Sequence, residues 1–333
     1  MNHLNERLPT RNCKKFNNHK KRCTMKKLIL KTESYQYIEE SFRQWLDVLG
    51  FCSGSIYNMP SIAREFFYFL ENSGVTNIRN LEQIHIKRYY DHISTRANQR
   101  RGGGLSKNYI NKQVQGVEKL LEYLHHKGLH TLPTTGIRLL KLERSEITII
   151  TPEQAKMLYK ATETEPDNIK QEATNSRDRA MLTIFYGCGL RRNEGEHLDV
   201  GDINFDTGTL HVKRGKNYKQ RFVPFNKTNS NHLQQYVYDY RPILLKGKTE
   251  GRLFISVKGR PMTGGSLYCR LKQLQQKTDD TELQQKTLTL HALRHSIATH
   301  LLQNGMPLEK ISRFLGHSSL ESTQIYTHLV QTH

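Results

Sequence analysis

The sequence predicts a mainly α-helical chain with one small antiparallel β-sheet, divided between two domains. Three observations predict it. Apolar residues recur at helical spacing through most of residues 33–128 and again beyond residue 151. The periodicity lapses over 129–150, where Pro133, Thr134, Thr135 and Gly136 gather, so that stretch reads as a linker. Strand-like runs are confined to 209–213 and 220–224, too little for a sheet-based core. A chain of 333 residues has room for about two domains on the usual size prior.

The first domain, 32–128, reads as four helices. Ile38, Phe42, Trp45, Leu46 and Leu49 fall at i, i+4, i+7, i+8 and i+11, one face of a helix. Ile62, Phe66, Phe69 and Leu70 make a second stripe after Asn58 and Pro60. A third helix, weaker in period, spans 81–93. The fourth opens at Ser106, carries Ile110, Val114, Val117, Leu121 and Leu124, and ends at Gly128. Between the last two lies a mobile basic loop, 96–104, with Arg96, Arg100 and Arg101 followed by three glycines.

The second domain, 151–333, restarts firmly at Thr151-Pro152-Glu153-Gln154, a cap with proline in the first turn and a capping-box glutamine. An acidic, polar loop is expected over 162–176, then an apolar helix over 180–186 stopped by Gly187 and Gly189. The two strands form a hairpin whose tip, 214–219, is basic and holds Lys216. Further helices are expected at 229–241, 264–276, 289–303, 307–315 and 319–328.

Charge narrows the partner. Lys+Arg number 51 against 31 Asp+Glu, a formal +20, which suits a polyanion. Residues 1–31 carry ten Lys/Arg and one acid, and read as a disordered basic arm. Met25-Lys26-Lys27 is also a plausible start, so residues 1–24 stand open as an over-extended beginning. No run approaches the ~20 apolar residues of a membrane span, and the arm lacks a signal peptide's apolar stretch. Cys13, Cys23, Cys52, Cys188 and Cys269 form no CxxC pair, as expected of reduced thiols in a cytoplasm.

The chemistry-bearing residues lie in the second half. His291 and Arg294 sit three apart on one helix, with Arg294 at the edge of a stripe of Leu293, Ile297 and Leu301. A guanidinium there needs an anion, either a structural carboxylate or a ligand. Gly316 is expected to close a short helix and turn out His317, and Tyr326 follows on the last helix. Upstream, Gly187-Cys188-Gly189-Leu190-Arg191-Arg192-Asn193-Glu194 puts Arg191 at a glycine-flanked helix start, a favourable place for an anion, with Glu194 one turn on. Arg191 and Arg294 are thus candidates for two forks on one phosphate.

Other motifs fail their tests. Gly247-Lys248-Thr249 imitates the end of a P-loop, but the required upstream glycine is Pro242. Residue 192 is arginine where a dinucleotide fingerprint needs its third glycine. His291, His295 and His300 lack an HExxH motif, and no metal is expected.

These boxes resemble the tyrosine recombinase (phage-integrase type) family, most closely its Xer-type and mobile-element members, from about residue 33 onward. The likeness is carried by Arg177 to Leu182, Tyr186 to Glu194, Gly215-Lys216, and above all Leu290 to Tyr326 with its closing Gln324-Ile325-Tyr326-Thr327-His328. It implies an N-terminal four-helix, SAM-like core-binding domain and an α-rich catalytic domain clamped on double-stranded DNA at a specific site. It further implies a homotetramer on two sites. Carried over, Tyr326 is the nucleophile that forms a 3′-phosphotyrosyl link. Arg191 and Arg294 clamp the phosphate, Lys216 protonates the leaving 5′-oxygen, and His291 and His317 assist. Glu194 is expected to orient a histidine. Bond energy is kept in the covalent intermediate, so the scheme needs no ATP, metal or other cofactor. Only seven residues follow Tyr326, fewer than in many relatives, which leaves the contact between subunits open. Two other readings also remain: a non-catalytic DNA-binding accessory protein of the same fold, and a topoisomerase-like relaxing enzyme.

Overall fold

The computed structural model describes residues 28–99, 102–142, 147–163, 165–213, 220–316 and 323. The expectations for residues 1–27 of the basic arm, for Lys216, His317 and Tyr326, and for the helix at 319–328 lie outside the described residues, Thr323 apart; the end of the arm is ordered, with Leu30 buried and the Lys31 amide donating to Glu71. The chain divides into two compact units, Met1–Arg144 and Ser145–His333.

The first unit contains α1 (Glu33–Val48), α2 (Ser53–Asn72), α3 (Gln83–Thr95) and α4 (Lys107–His126). Their apolar stripes meet in a core with Phe42, Leu46, Phe66, Phe67, Leu70, Ile93 and Leu120 fully buried. Tyr35 stacks on Phe67 with ring centroids 4.5 Å apart. Helix α2 begins earlier than its stripe suggested and runs through Pro60. Proline supplies no N–H to the carbonyl four residues back. The Arg43 guanidinium reaches that carbonyl, on Ile56, at 3.4 Å. Helices α2 and α4 approach so closely at Gly116 that a Cβ there would lie 2.7 Å from Ile62 Cγ2.

The basic loop is closed at its base, while Arg100 and Arg101 lie outside the described residues. Ala97 pairs antiparallel with Gly104, and the Asn98 amide donates to the Gly103 carbonyl at 2.7 Å. Arg96 pairs with Glu65 on α2. The expected linker is likewise held to this unit over its first half. Leu132 is buried, and Asn111 of α4 both donates to the Leu140 carbonyl and accepts from its amide, each at 2.8 Å.

The second unit opens with α5 (Pro152–Lys160), capped as expected by Thr151 with Gln154 closing the box. Helix α6 (Ile169–Leu182) corrects the predicted loop at 162–176. Asn168 caps it by accepting from the amides of Lys170 and Gln171, and its polar residues Thr174 to Asp178 are buried rather than solvated. A wide π-type turn (Thr183–Gly187) leads to α7 (Arg192–Glu196). The sheet has a short first strand that the sequence did not reveal. Its order is β1 (Ile203–Asn204), β2 (Thr209–Val212), β3 (Arg221–Pro224), antiparallel throughout. Register pairs Leu210 with Val223 and Val212 with Arg221. Helices α8 (Lys227–Gln234), α9 (Arg241–Leu245), α10 (Gly264–Lys277), α11 (Thr281–Gln285), α12 (Leu290–Gln303) and α13 (Leu308–Leu315) follow among the described residues. Helix α12 packs on the π-type turn that follows α6, and α13 packs on both α12 and β3. No described helix is long and apolar enough to cross a membrane.

Candidate active site

Sequence dictates where α13 stops. Gly316 adopts φ +66°, a left-handed conformation that ends the helix at no steric cost. A helix end leaves its last carbonyls without partners inside the helix. Here three successive carbonyls each accept from a different arginine. Arg221 Nε donates to Phe314 O at 3.1 Å, Arg294 Nη2 to Leu315 O at 2.7 Å, and Arg191 Nη2 to Gly316 O at 3.0 Å. Cations at a helix C-terminus also meet the negative end of its dipole.

One carboxylate organises these arginines. Glu194 is buried and lies one turn after Arg191 in α7. Its Oε2 accepts from the Arg191 amide at 2.8 Å, and its Oε1 from Arg191 Nη1 at 2.8 Å. Arg221 forks onto both oxygens at 3.0 and 2.9 Å. Arg294 Nη1 stands 4.0 Å away. Burial alone would push the Glu194 carboxyl up, but the hydrogen bonds and charges of Arg221 and Arg191 outweigh it. They hold the carboxyl down to about 2.

Arg294 goes deeper than the edge position expected of it. It is buried, with Nη1 on the Gly189 carbonyl at 2.6 Å. Gly189 sits at φ +61°, and a Cβ there would lie 3.1 Å from both Leu315 and Phe314, so only glycine lets α13 close over this carbonyl. His291, three residues before Arg294, faces solvent at the start of α12. Partial desolvation, then the charges of Arg294, Arg192 and Arg191, lower its basicity and favour the neutral imidazole. His295 is pushed down to about 4 by burial, with His291 and Arg294 adding to it.

The geometry corrects two expectations. Among the described residues Glu194 orients arginines, not a histidine: the Arg221 fork takes both its oxygens, and Arg191 adds one guanidinium N–H and its own amide. The helix start at Arg191 is also filled by Glu194 itself, so the guanidinium and not the amide is what remains for a ligand. His300 is satisfied structurally, between the Tyr186 hydroxyl at 2.9 Å and the Ile150 carbonyl at 3.0 Å. No group of three His, Cys, Asp or Glu among the described residues is arranged for a metal ion.

Sequence reasoning missed Arg221. The signal was strand alternation: Arg221 shares a face with buried Val223, while Phe222 between them is 67% exposed. Reading by hydrophobicity puts the phenylalanine inward. The arginine points in because Glu194 is there to meet it.

Residues 148–333, more than half of the sequence, match the family model described as the Phage integrase family. The chain belongs to the phage integrase family. This bears out the resemblance to tyrosine recombinases drawn from the motifs. The chain is 39% identical over 153 residues to the tyrosine recombinase XerD of Staphylococcus saprophyticus, covering 46% of this chain and 50% of that one. It is 34% identical over 200 residues to XerD of Staphylococcus haemolyticus, covering 60% and 64%. With XerD of Proteus mirabilis the figures are 40% over 158 residues, 47% and 49%. The chain thus spans about half the length of the first and third of these relatives.

Among solved structures, XerH site-specific recombinase bound to its difH substrate aligns with a TM-score of 0.65 at 20% identity, over 90% of this chain and 83% of that one. The Tn1549 transposon integrase in complex with a circular intermediate DNA gives 0.63 at 18%, over 87% and 94%. At these identities the likeness establishes the fold, mainly helical with one small antiparallel sheet as the sequence predicted.

Proposed function

We propose that this chain is a site-specific DNA recombinase, or integrase, that cuts and rejoins duplex strands through a covalent 3′-phosphotyrosine at Tyr326. One observation carries the reading. Three guanidinium groups converge with one carboxylate at the end of α13, a net positive cluster ten residues before Tyr326 in sequence. Such a cluster suits a pentavalent phosphorane, whose charge grows on the non-bridging oxygens as the nucleophile arrives.

The roles follow from chemistry. Arg191 is held by the Gly316 carbonyl and Glu194, Arg294 by the Gly189 and Leu315 carbonyls, and the two guanidinium groups so placed clamp the phosphate. His291, kept neutral, accepts the tyrosine proton. The Tyr326 oxygen then bonds to phosphorus as the bond to the 5′-oxygen breaks. Lys216 delivers a proton to that oxygen and His317 donates to the phosphate. Attack by a second strand's 5′-hydroxyl reverses the step, so no external energy source enters.

Residues 32–128 grip the duplex, aided by the loop at 96–104 and the basic arm at 1–31. The linker at 129–150 joins them to the catalytic residues 151–333. Four copies act on two sites, in the cytoplasm, on behalf of a chromosome or a mobile element. The test uses duplexes nicked just 3′ of candidate scissile phosphates, drawn from DNA flanking the coding sequence. An SDS-stable protein–DNA shift without metal or ATP, lost in Tyr326→Phe, supports the proposal. Tight binding with no shift on any duplex favours a non-catalytic DNA-binding protein.

A further inference from the structure

We infer that Arg221 is a positioning residue of the reaction, a third arginine that locks Glu194 and the end of α13 so that Arg191 and Arg294 present a fixed fork. This inference rests on the strand-transfer reading above. Arg221 lies on β3, five residues after Lys216, yet its side chain ends among groups from two other elements. It takes both oxygens of Glu194 from α7 and the Phe314 carbonyl from α13. Its side chain is 9% exposed, so it contributes no charge to the surface. The fit is tight: a Cβ on Gly316 would lie 2.7 Å from Arg221 Cδ.

The consequence is mechanical coupling. Glu194 is shared between Arg191 and Arg221, so the direction of the Arg191 guanidinium depends on where Arg221 holds the carboxylate. The same guanidinium fixes the turn from which the chain runs on toward His317 and Tyr326. The hairpin that carries Lys216 is therefore tied to both. A lysine at 221 keeps one positive charge beside Glu194 but cannot fork onto two oxygens and a carbonyl together. Methionine keeps the stem volume and removes the charge.

The test compares Arg221→Lys and Arg221→Met in the full chain, on nicked duplexes from the DNA flanking the coding sequence. Single-turnover adduct formation at saturating duplex is expected to fall about 100-fold in Arg221→Met, the scale of a misplacement by about an ångström. Arg221→Lys is expected to fall between that variant and the wild type. Duplex affinity should change by less than about threefold, because many phosphate contacts set it. Arg221→Met should also gain an acid limb in its pH–rate profile, as burial raises a Glu194 no longer held down by two arginines. In a Glu194→Gln background the effect of Arg221→Met should shrink. A merely structural residue moves neither the acid limb nor that coupling.

Hydrogen exchange gives a reading that needs no DNA. Amides at 308–316 should exchange at least about tenfold faster in Arg221→Met while α12 keeps its protection, since losing a charged hydrogen bond loosens one local unit. Cleavage that falls only with affinity or with the folded fraction, no acid limb, or unchanged exchange at 308–316 overturns the inference. If Arg221→Met fails to fold, the same readings on Arg221→Lys decide. If the wild type forms no adduct on any duplex, the proposed function has failed, and the exchange reading alone decides whether Arg221 holds the end of α13.

Discussion

Replacing Glu194 by glutamine removes one charge from the centre of three arginines and leaves the shape intact. The carboxyl is held down to about 2, from an ordinary value of 4.5. A depressed carboxyl pKa contributes stability that is fully present above the unfolded value and is lost as pH falls through the folded one. The difference corresponds to about 3 kcal/mol, fully present above about pH 4.5 and gone near pH 2. At neutral pH Glu194→Gln should therefore unfold the second unit about 3 kcal/mol more easily, in line with breaking a buried ion pair. The assay is urea denaturation at a series of pH values, read by hydrogen exchange in α7, α12 and α13. Trp45, the sole tryptophan, lies in the first unit, so its fluorescence supplies an internal control that should not move. Carboxylates shared by both proteins cancel in the difference. The gap between wild type and variant should narrow steadily below about pH 4.5. A gap that stays constant from pH 6 down to about pH 3 refutes the reasoning.

Gly116→Ala forces a methyl against Ile62 and should destabilise the first unit by about 1–3 kcal/mol, read by Trp45 fluorescence in urea; a second change, Ile62→Ala, should recover part of the loss. Arg294→Lys cannot bridge the Gly189 and Leu315 carbonyls while also holding a phosphate, so single-turnover adduct formation should fall about 100- to 1000-fold with duplex binding little changed.

Much of the architecture was legible because these helices announce themselves by amphipathic spacing and by caps. Thr151 with Gln154, Ser106 and Gly316 mark ends where the structure puts them. The start of α6 was not legible for a physical reason. Its buried face is polar, and it is held inside by an ion cluster: Asp178 accepts from Arg177 at 2.9 Å and from Arg270 Nε at 3.0 Å. Hydrophobic periodicity cannot register a face that is buried through charge. Pro60 misled in the opposite sense, because the Arg43 side chain occupies the carbonyl that a proline leaves bare.

The same contrast holds at the site. Arg191, Glu194 and Arg294 stood out as an arginine pair needing an anion, and the structure brings them together. Their organisation was hidden, because it depends on backbone carbonyls at 314–316 that no residue type advertises. Arg221 was hidden for the same reason, its partners lying 27 and 93 residues away in sequence.

Strand transfer through Tyr326 is tested by finding which atom holds the DNA. The adduct trapped on a nicked duplex is digested with nuclease and trypsin and analysed by mass spectrometry. Cleavage after Arg313 releases a stretch, 314–333, in which Tyr326 is the sole tyrosine. The expected product carries a 3′-nucleotide on that tyrosine. A nucleotide on any other residue, or duplex bound tightly and never joined to the protein, would contradict it.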